Sequence, residues 1–338
     1  MTAPRDPVAD LRRIAFLLER AHESTYRVRA FRGAAAALRA RDRAELETLA
    51  MSGELRRLRG VGDVTARCVV ESLAGEEPAY LSRLRETGGA ELADAAADLR
   101  ATLRGDCHSH TDASDGGSPL EEMVETARER GYEYVAITDH SATHGFGDDV
   151  PPDQLLRQVE HIRGLEIEGI TVLAGTESNV LLDGSLDYDD SVLEQLDWVV
   201  ASLHTSFRLS EAEQTERMLR AMEHPLVDVI GHPTGRLIER RAPYPIDIDR
   251  VIAKAVETGT FLEINANPDR RDLNDVYAKA AAEAGVTLLI DSDAHWPRTL
   301  KNMRYGVATA RRAWLTKEHV GNTRPWPELD RLRKRGKG

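Results

Sequence analysis

Residues 104–140 read RGDCHSHTDASDGGSPLEEMVETARERGYEYVAITDH, and their order decides the fold. A short strand over 104–108 delivers His108 and His110. Residues i and i+2 of a strand share a face, so both imidazoles point the same way. A loop of small residues comes next, carrying Asp112 and Asp115. The helix after it has its start written out: Ser118 is the expected N-cap, Pro119 takes the first helical position, and Glu121 closes a capping box. Leu120, Met123, Val124 and Ala127 form its apolar stripe, and Gly131 ends it. Tyr132 to Thr138 is apolar and aromatic enough for a buried strand that finishes on Asp139 and His140. Strand, helix and strand thus bring three histidines and an aspartate to the same ends of adjacent strands, where α/β folds keep their sites.

The pattern recurs to the end of the chain. Strands are expected at 104–108, 134–138, 171–176, 198–203, 227–231, 261–264 and 287–290, with helices between them, among them 153–163, 211–223, 249–257 and 274–284. This alternation without antiparallel hairpins fits either a parallel barrel or a doubly wound sheet. The residues at the strand exits are chemically alike. Glu177 stands after the third strand, His204 after the fourth and His232 after the fifth. Asn265 and Asn267 come after the sixth, where they line a mouth or cap a turn, and Asp293 and His295 after the seventh. Six of the 11 histidines therefore sit at strand exits. Histidine with carboxylate is a ligand set for zinc, manganese or iron. His108, His110, Asp115, His140, Glu177, His204, His232, Asp293 and His295 exceed one tetrahedral site and suit two or three divalent ions. Cys107 belongs on the other strand face, as a core residue.

The chain has 338 residues, 41% hydrophobic and 30% charged, as expected of a soluble globular protein. No apolar run approaches the ~20 residues that a membrane helix needs. The opening MTAPRDPVADLRR has no apolar signal core, which predicts a cytoplasmic protein. Two cysteines, Cys68 and Cys107, indicate no disulfide framework. Charge is unevenly shared. Residues 1–70 hold 14 arginines and 9 acidic side chains, a balance of +5, within a chain of net charge −12. A basic module is thus joined to an acidic one.

Residues 1–85 read as helical. Leu11, Ile14, Leu17 and Leu18 form one apolar stripe. Phe31, Ala34, Ala35 and Leu38 form another on a helix from Tyr26 to Arg39, and Glu45 to Met51 is a third helix. In LRRLRGVGDVTARCVVESL, Gly60-Val61-Gly62 is a tight turn between two short helices, the helix-hairpin-helix pattern. Such a turn offers backbone N–H groups at a helix N-terminus, which hold phosphate without reading bases. Arg56, Arg57, Arg59 and Arg67 surround it. DNA backbone is the expected partner of residues 1–70, with Gly60 and Gly62 as contacts; a plain helical hairpin with an arginine face is the alternative. Residues 86–103 form a connector broken at Gly88-Gly89, and 319–338 form a C-terminal tail whose basic end, Arg331 to Lys337, is expected to be frayed.

HSH, a nearby acid, TDH, GTE, SLH, GHP and DAH in this order resemble the PHP domain, the polymerase and histidinol phosphatase superfamily, over about residues 104–318. The resemblance implies a distorted (β/α)7 TIM-like barrel with a trinuclear metal centre, preceded by the small all-α helix-hairpin-helix domain. It implies His108, His110, Glu177 and Asp293 for one metal, Asp115, His140 and His295 for a second, and Glu177, His204 and His232 for a third, with Glu177, Asp293 and His295 carrying the chemistry. Relatives often have His at the position of Asp115. HPTGRLIERRAPYPID, LEINANPDRRDL and NMRYGVATARRAWL are most similar to the PHP domain of bacterial family X DNA polymerases. YRVRAFRGAAAALRA and LRGVGDVTA resemble that family's N-terminal domain. About thirty residues separate the two parts, too few for a polymerase palm, so polymerase activity is expected to be absent. The chain has no lysine before Lys254, so the N-terminal domain lacks the nucleophile for Schiff-base lyase chemistry.

The expected activity is metal-assisted phosphoester hydrolysis on DNA, as a 3′–5′ exonuclease or 3′-end phosphatase in repair. Arg236 and Arg304 are the candidate phosphate clamps, because a guanidinium matches phosphate geometry. His144 and Asp148 are loop residues expected to be solvated. A small-molecule phosphomonoesterase of histidinol-phosphatase type is the alternative, which leaves the basic module unexplained. A non-enzymatic DNA-binding protein is disfavoured by the complete ligand set.

Overall fold

Seven strands alternate with helices from residue 105 onward, and every pairing between them is parallel, in the order β1 to β7. They are β1 (Gly105–Asp106), β2 (Tyr134–Ile137), β3 (Thr171–Asn179), β4 (Trp198–Ser202), β5 (Val229–Ile230), β6 (Phe261–Asn265) and β7 (Leu288–Asp291). The computed structural model describes residues 5–20, 25–39, 41–87, 99–141, 143 and 149–337. The chain divides into two compact units, Met1–Glu91 and Leu92–Gly338. Among the described residues no helix is long and apolar enough to cross a membrane.

The sheet curls into a nearly closed barrel. Of the two topologies left open by the strand pattern, the barrel is realised because β1 and β7 meet. Ser109 bridges Ala294 in parallel, and the His110 N–H donates to the Ala294 carbonyl at 2.8 Å. Below that bridge, side chains replace the ladder. Asp291 accepts the Cys107 N–H at 2.8 Å, and Asp106 accepts the Ser292 N–H at 3.0 Å. The Asn322 amide donates to the carbonyls of Gly105 and Ile290 and accepts the Ile290 N–H. Backbone polar groups at a buried seam must find partners, and Asn322 supplies them on both sides.

Alternation along the strands sorts the side chains. Val135, Ile137, Val199, Ala201, Leu262 and Ile264 join the core under the helices. Tyr134, Ala136, Trp198, Val200, Phe261 and Leu289 fill the barrel, together with Cys107. Further along β3 and β6 the inward positions become Glu177 and Glu263, both buried. An apolar plug thus lies beneath an ionisable layer at the carboxyl ends of the strands.

Two local expectations change. The helix after β1 spans Leu120–Glu129 with Pro119 as its N-cap and no side-chain cap bond. Ser118 does not cap it: its carbonyl accepts the Asp112 N–H at 2.9 Å, folding the loop back, and Glu121 pairs with His161 at 2.8 Å. The basic tail is docked rather than frayed. Leu329 is fully buried in the barrel's apolar plug, with Trp326 packed beside it. Arg335 and Arg333 reach the buried Asp228 at 2.7 and 3.4 Å. Unpaired, that carboxylate would be a costly buried charge.

In the first unit, α1 (Pro7–Arg20), α2 (Thr25–Arg39), α3 (Arg43–Met51), α4 (Asp63–Leu73) and α5 (Ala79–Thr87) share a core of Leu11, Ile14, Leu18, Phe31, Leu38, Val69 and Leu81. Gly60 has φ +96°, and a Cβ there would lie 3.2 Å from the Gly33 carbonyl. The position demands glycine for both reasons. The Gly62 N–H donates to Thr65 Oγ1 at 2.9 Å, and the Val61 N–H to the Leu58 carbonyl. The two glycines therefore shape the hairpin, and Gly62 does not offer its own N–H outward. Arg56, Arg57, Arg59 and Arg67 are all exposed.

Replacing both Arg333 and Arg335 by alanine leaves Asp228 buried without a counter-charge. The expected loss is about 3–5 kcal/mol of unfolding free energy, measured by urea denaturation. A change under about 1 kcal/mol would mean that this segment does not hold the barrel.

Candidate metal centre

The Glu177 carboxylate is the hub of the barrel mouth. His232 and His204 approach its Oε1 at 2.8 and 3.2 Å, and His140, His108 and His110 approach its Oε2 at 2.9, 3.3 and 3.6 Å. Asp293 lies 3.3 Å from His110, 3.6 Å from His295 and 3.9 Å from His108. Asp115 closes the outer side, 3.3 Å from His295 and 3.5 Å from His140. All nine residues singled out by strand-exit position thus converge, from β1, β2, β3, β4, β5 and β7.

Three groups have donor atoms close enough to share an ion: His110, Asp115, His140 and His295; His108, His110 and Glu177; His140, Glu177 and His204. The second and third overlap the sets implied by the resemblance, and the first adds His110 to Asp115, His140 and His295. The donor set fits divalent metals. Nε2 of His108 and both ring nitrogens of His110 are buried with no hydrogen-bond partner, a state that native interiors avoid unless an ion completes it.

Electrostatics readies two of the rings for ligation. Burial, reinforced by the charges of His295 and His140, brings His110 down to about 4. Burial and the Arg270 charge bring His232 down to about 3. Both rings are neutral near pH 7, the form that binds metal. Burial disfavours the charge on Glu177, but His204, His108 and His140 outweigh it and hold the carboxyl well below its usual range. Burial also opposes charge on His295. The hydrogen bond to Asp115 and the charge of Asp293 prevail and raise it to about 9.

A supporting layer escaped the sequence reading. Glu263 on β6 lies 2.7 Å from His108 Nδ1 in a hydrogen bond, orienting that ring as ligand-supporting carboxylates do. Its other oxygen receives the His232 N–H and the Asn265 amide at 3.1 Å. Asn265 also donates to Asp293 at 3.0 Å, whereas Asn267 caps a turn by accepting the Asp269 N–H. The available signal was Glu263 two residues before Asn265, on the same strand face. Asp139 is not part of the cluster. It holds the β1 loop, accepting from the Thr111 N–H and hydroxyl and the Ser114 hydroxyl at 2.6–2.7 Å.

The arginine that reaches the cluster is also one that the sequence did not single out. Arg270 Nε lies 3.3 Å from Asp293 Oδ2, with the Arg270 side chain 19% exposed. Arg236 points elsewhere: it donates to the carbonyls of Arg270 and Arg271 and so props the loop that presents Arg270. Arg304 is exposed and donates to the Tyr305 hydroxyl. His144 and Asp148 lie outside the described residues.

Comparison with known proteins agrees with this architecture. The PHP domain model matches residues 106–267, and a helix-hairpin-helix domain model matches residues 4–78. A Thermoanaerobacter protein named "Probable phosphatase" is 33% identical over 233 residues, 64% of this chain and 89% of that one. The chain belongs to the PHP family. A Bacillus subtilis PHP relative, named "DNA polymerase/3'-5' exonuclease PolX", is 43% identical over 235 residues, 69% of this chain but only 41% of that protein's length. A solved Lactococcus lactis histidinol phosphate phosphatase, in complex with zinc, L-histidinol and phosphate, superposes with a TM-score of 0.44 at 16% identity, over 61% of this chain and 92% of that one.

Glu263→Gln removes the charge that orients His108. Metal affinity is expected to fall about 10–100-fold, read by competition with a chromogenic chelator; unchanged affinity would make Glu263 a bystander. Metal uptake should also release protons. His295 titrates at about 9, so at pH 8 its ring is protonated without metal, and ligation requires the neutral form. Calorimetry in buffers of different ionisation enthalpy should show that release, and Asp115→Asn, which removes the carboxylate charge beside His295, should reduce it.

Proposed function

We propose that this protein is a metal-dependent phosphoesterase that hydrolyses DNA phosphoesters, as a 3′–5′ exonuclease or 3′-end phosphatase serving DNA repair. The observation that carries the reading is the Glu177 hub, five histidines around one buried carboxylate, in a chain that also holds a helix-hairpin-helix module.

His108, His110, Glu177 and Asp293 would hold one ion, Asp115, His140 and His295 a second, and Glu177, His204 and His232 a third. Zinc, manganese and iron all suit these donors. Bound there, two or three divalent ions would supply Lewis acidity toward the phosphate and lower the pKa of water. The protein's own groups set the geometry. Glu177 joins two ligand sets, and Asp293 is fixed by Asn265. Arg270, held by Arg236, is placed to pair with a phosphate oxygen. His295 is oriented by the Asp293 carbonyl, 2.9 Å from its Nδ1, which leaves Nε2 to ligate. The basic residues of 1–70 would hold DNA backbone.

One observation favours a small-molecule phosphomonoesterase instead. The Thermoanaerobacter relative named "Probable phosphatase" matches 64% of this chain yet 89% of its own length, about the extent of the barrel unit alone, and that unit is acidic.

The deciding experiment uses purified protein with Mn²⁺ and a 5′-labelled duplex with a recessed 3′ end, followed by gel beside Asp293→Ala. Stepwise loss of 3′ nucleotides by the wild type alone supports the nuclease reading, and release of a terminal phosphate alone supports the phosphatase form. An intact duplex, in a sample that hydrolyses a small phosphate ester, rejects DNA as substrate.

A further inference from the structure

Between Asp293 and Glu318 the chain contains no acidic residue but holds Arg298, Lys301, Arg304, Arg311, Arg312 and Lys317. This is a basic segment in the acidic part of the protein, and it begins at the metal centre. Trp296 adjoins His295 directly and is 41% exposed. Its ring is fixed. A Cβ on Gly117 would lie 2.1 Å from it, so the indole rests on bare backbone two residues after Asp115. The Gly117 N–H also donates to the His295 carbonyl at 2.7 Å. The Arg298 guanidinium lies 4.8 Å from the indole centroid. Arg298, Lys301 and Arg304 are all exposed. Arg304 and Arg271 lie 4.7 and 5.5 Å from the Tyr305 ring, and Arg271 adjoins Arg270, which touches Asp293. Aromatic rings with basic neighbours therefore stand beside the metal centre at both the Asp115 loop and the Arg270 loop.

Rings that accept bases of any identity, interleaved with cations that track a backbone, are what single-stranded nucleic acid requires. A small phosphate ester needs neither. We propose that this arc is a single-strand track, with Trp296 stacking a base beside the reacting phosphate and Arg298, Lys301 and Arg304 holding adjoining backbone phosphates. The inference rests on the phosphoesterase reading above, and adds where the strand lies and what selects it over a small ester.

The test uses the full chain with Mn²⁺ and two substrates, 5′-labelled oligothymidylate and p-nitrophenyl phosphate. Trp296→Ala should lower the ratio of kcat/KM for the oligonucleotide to that for the ester by on the order of tenfold, with Trp296→Phe retaining most of it. Arg298→Glu with Lys301→Glu should lower the same ratio and flatten the salt dependence of KM. An unchanged ratio, or equal loss on both substrates, overturns the track. Binding is scored separately, as quenching of tryptophan fluorescence by thymidine trinucleotide. If the wild type cleaves no oligonucleotide, the DNA-phosphoesterase reading fails, and quenching alone decides. Quenching that drops in Trp296→Phe supports the track; quenching that is absent or equal in both proteins overturns it.

Discussion

A carboxylate buried at the centre of a ring of imidazoles is the constraint on which the barrel mouth depends. Glu177 is 1% exposed, and an ionised group so placed is tolerated only where opposite charge or metal surrounds it. Its histidine neighbours come from the ends of β1, β2, β4 and β5, so each strand must stop at the right height. The histidines in turn need holding: Glu263 fixes His108, and Asn265 ties Glu263 to Asp293. Polar groups in this layer are satisfied largely by one another, and the ring nitrogens left over are those a metal would take.

That layer is tolerable because of what lies beneath it. Trp198, Phe261, Leu289 and Tyr134 pack the lower barrel and exclude water from the floor of the site. Leu329, from the far end of the chain, completes the plug. The polar and apolar halves of the interior come from the same strands, as Phe261 and Glu263 do on β6. The loops above are then free to differ in charge: acidic where Asp115 and Asp293 stand, basic from Arg298 onward.

Much of this was legible in the residues themselves. The seven strands fall within a few residues of their expected positions, because apolar runs between helical patterns leave little choice of register. Most of the nine ligand-type residues were visible because they stand at or just past a strand exit; Asp115 lies in the loop after β1, and Glu177 lies within β3, which runs on to Asn179. What could not be read has one physical cause: the partner is remote. Glu263 looks like a stray acid in an apolar strand until His108, 155 positions away, comes beside it. Arg335 looks like part of a solvated tail until Asp228, 107 positions earlier, is seen to need it. Arg236 was expected at the site but braces the loop that carries Arg270, since spacing does not say which of two arginines faces the site. Ser118 had a good local reason to cap its helix, but a tighter loop fold took its carbonyl instead.

The seam between β1 and β7 has a kinetic meaning. Its bonds join residues 184 and 186 positions apart, whereas every other strand pairs with its sequence neighbour. Those neighbour pairings can form progressively as the chain lengthens, each closing a modest loop. The seam must wait for almost the whole unit, and it carries the largest entropic cost of ordering. Until Asn322 is in place, both boundary strands keep open edges that invite pairing with another chain. The interval before this last closure is when the protein is most exposed to misassembly.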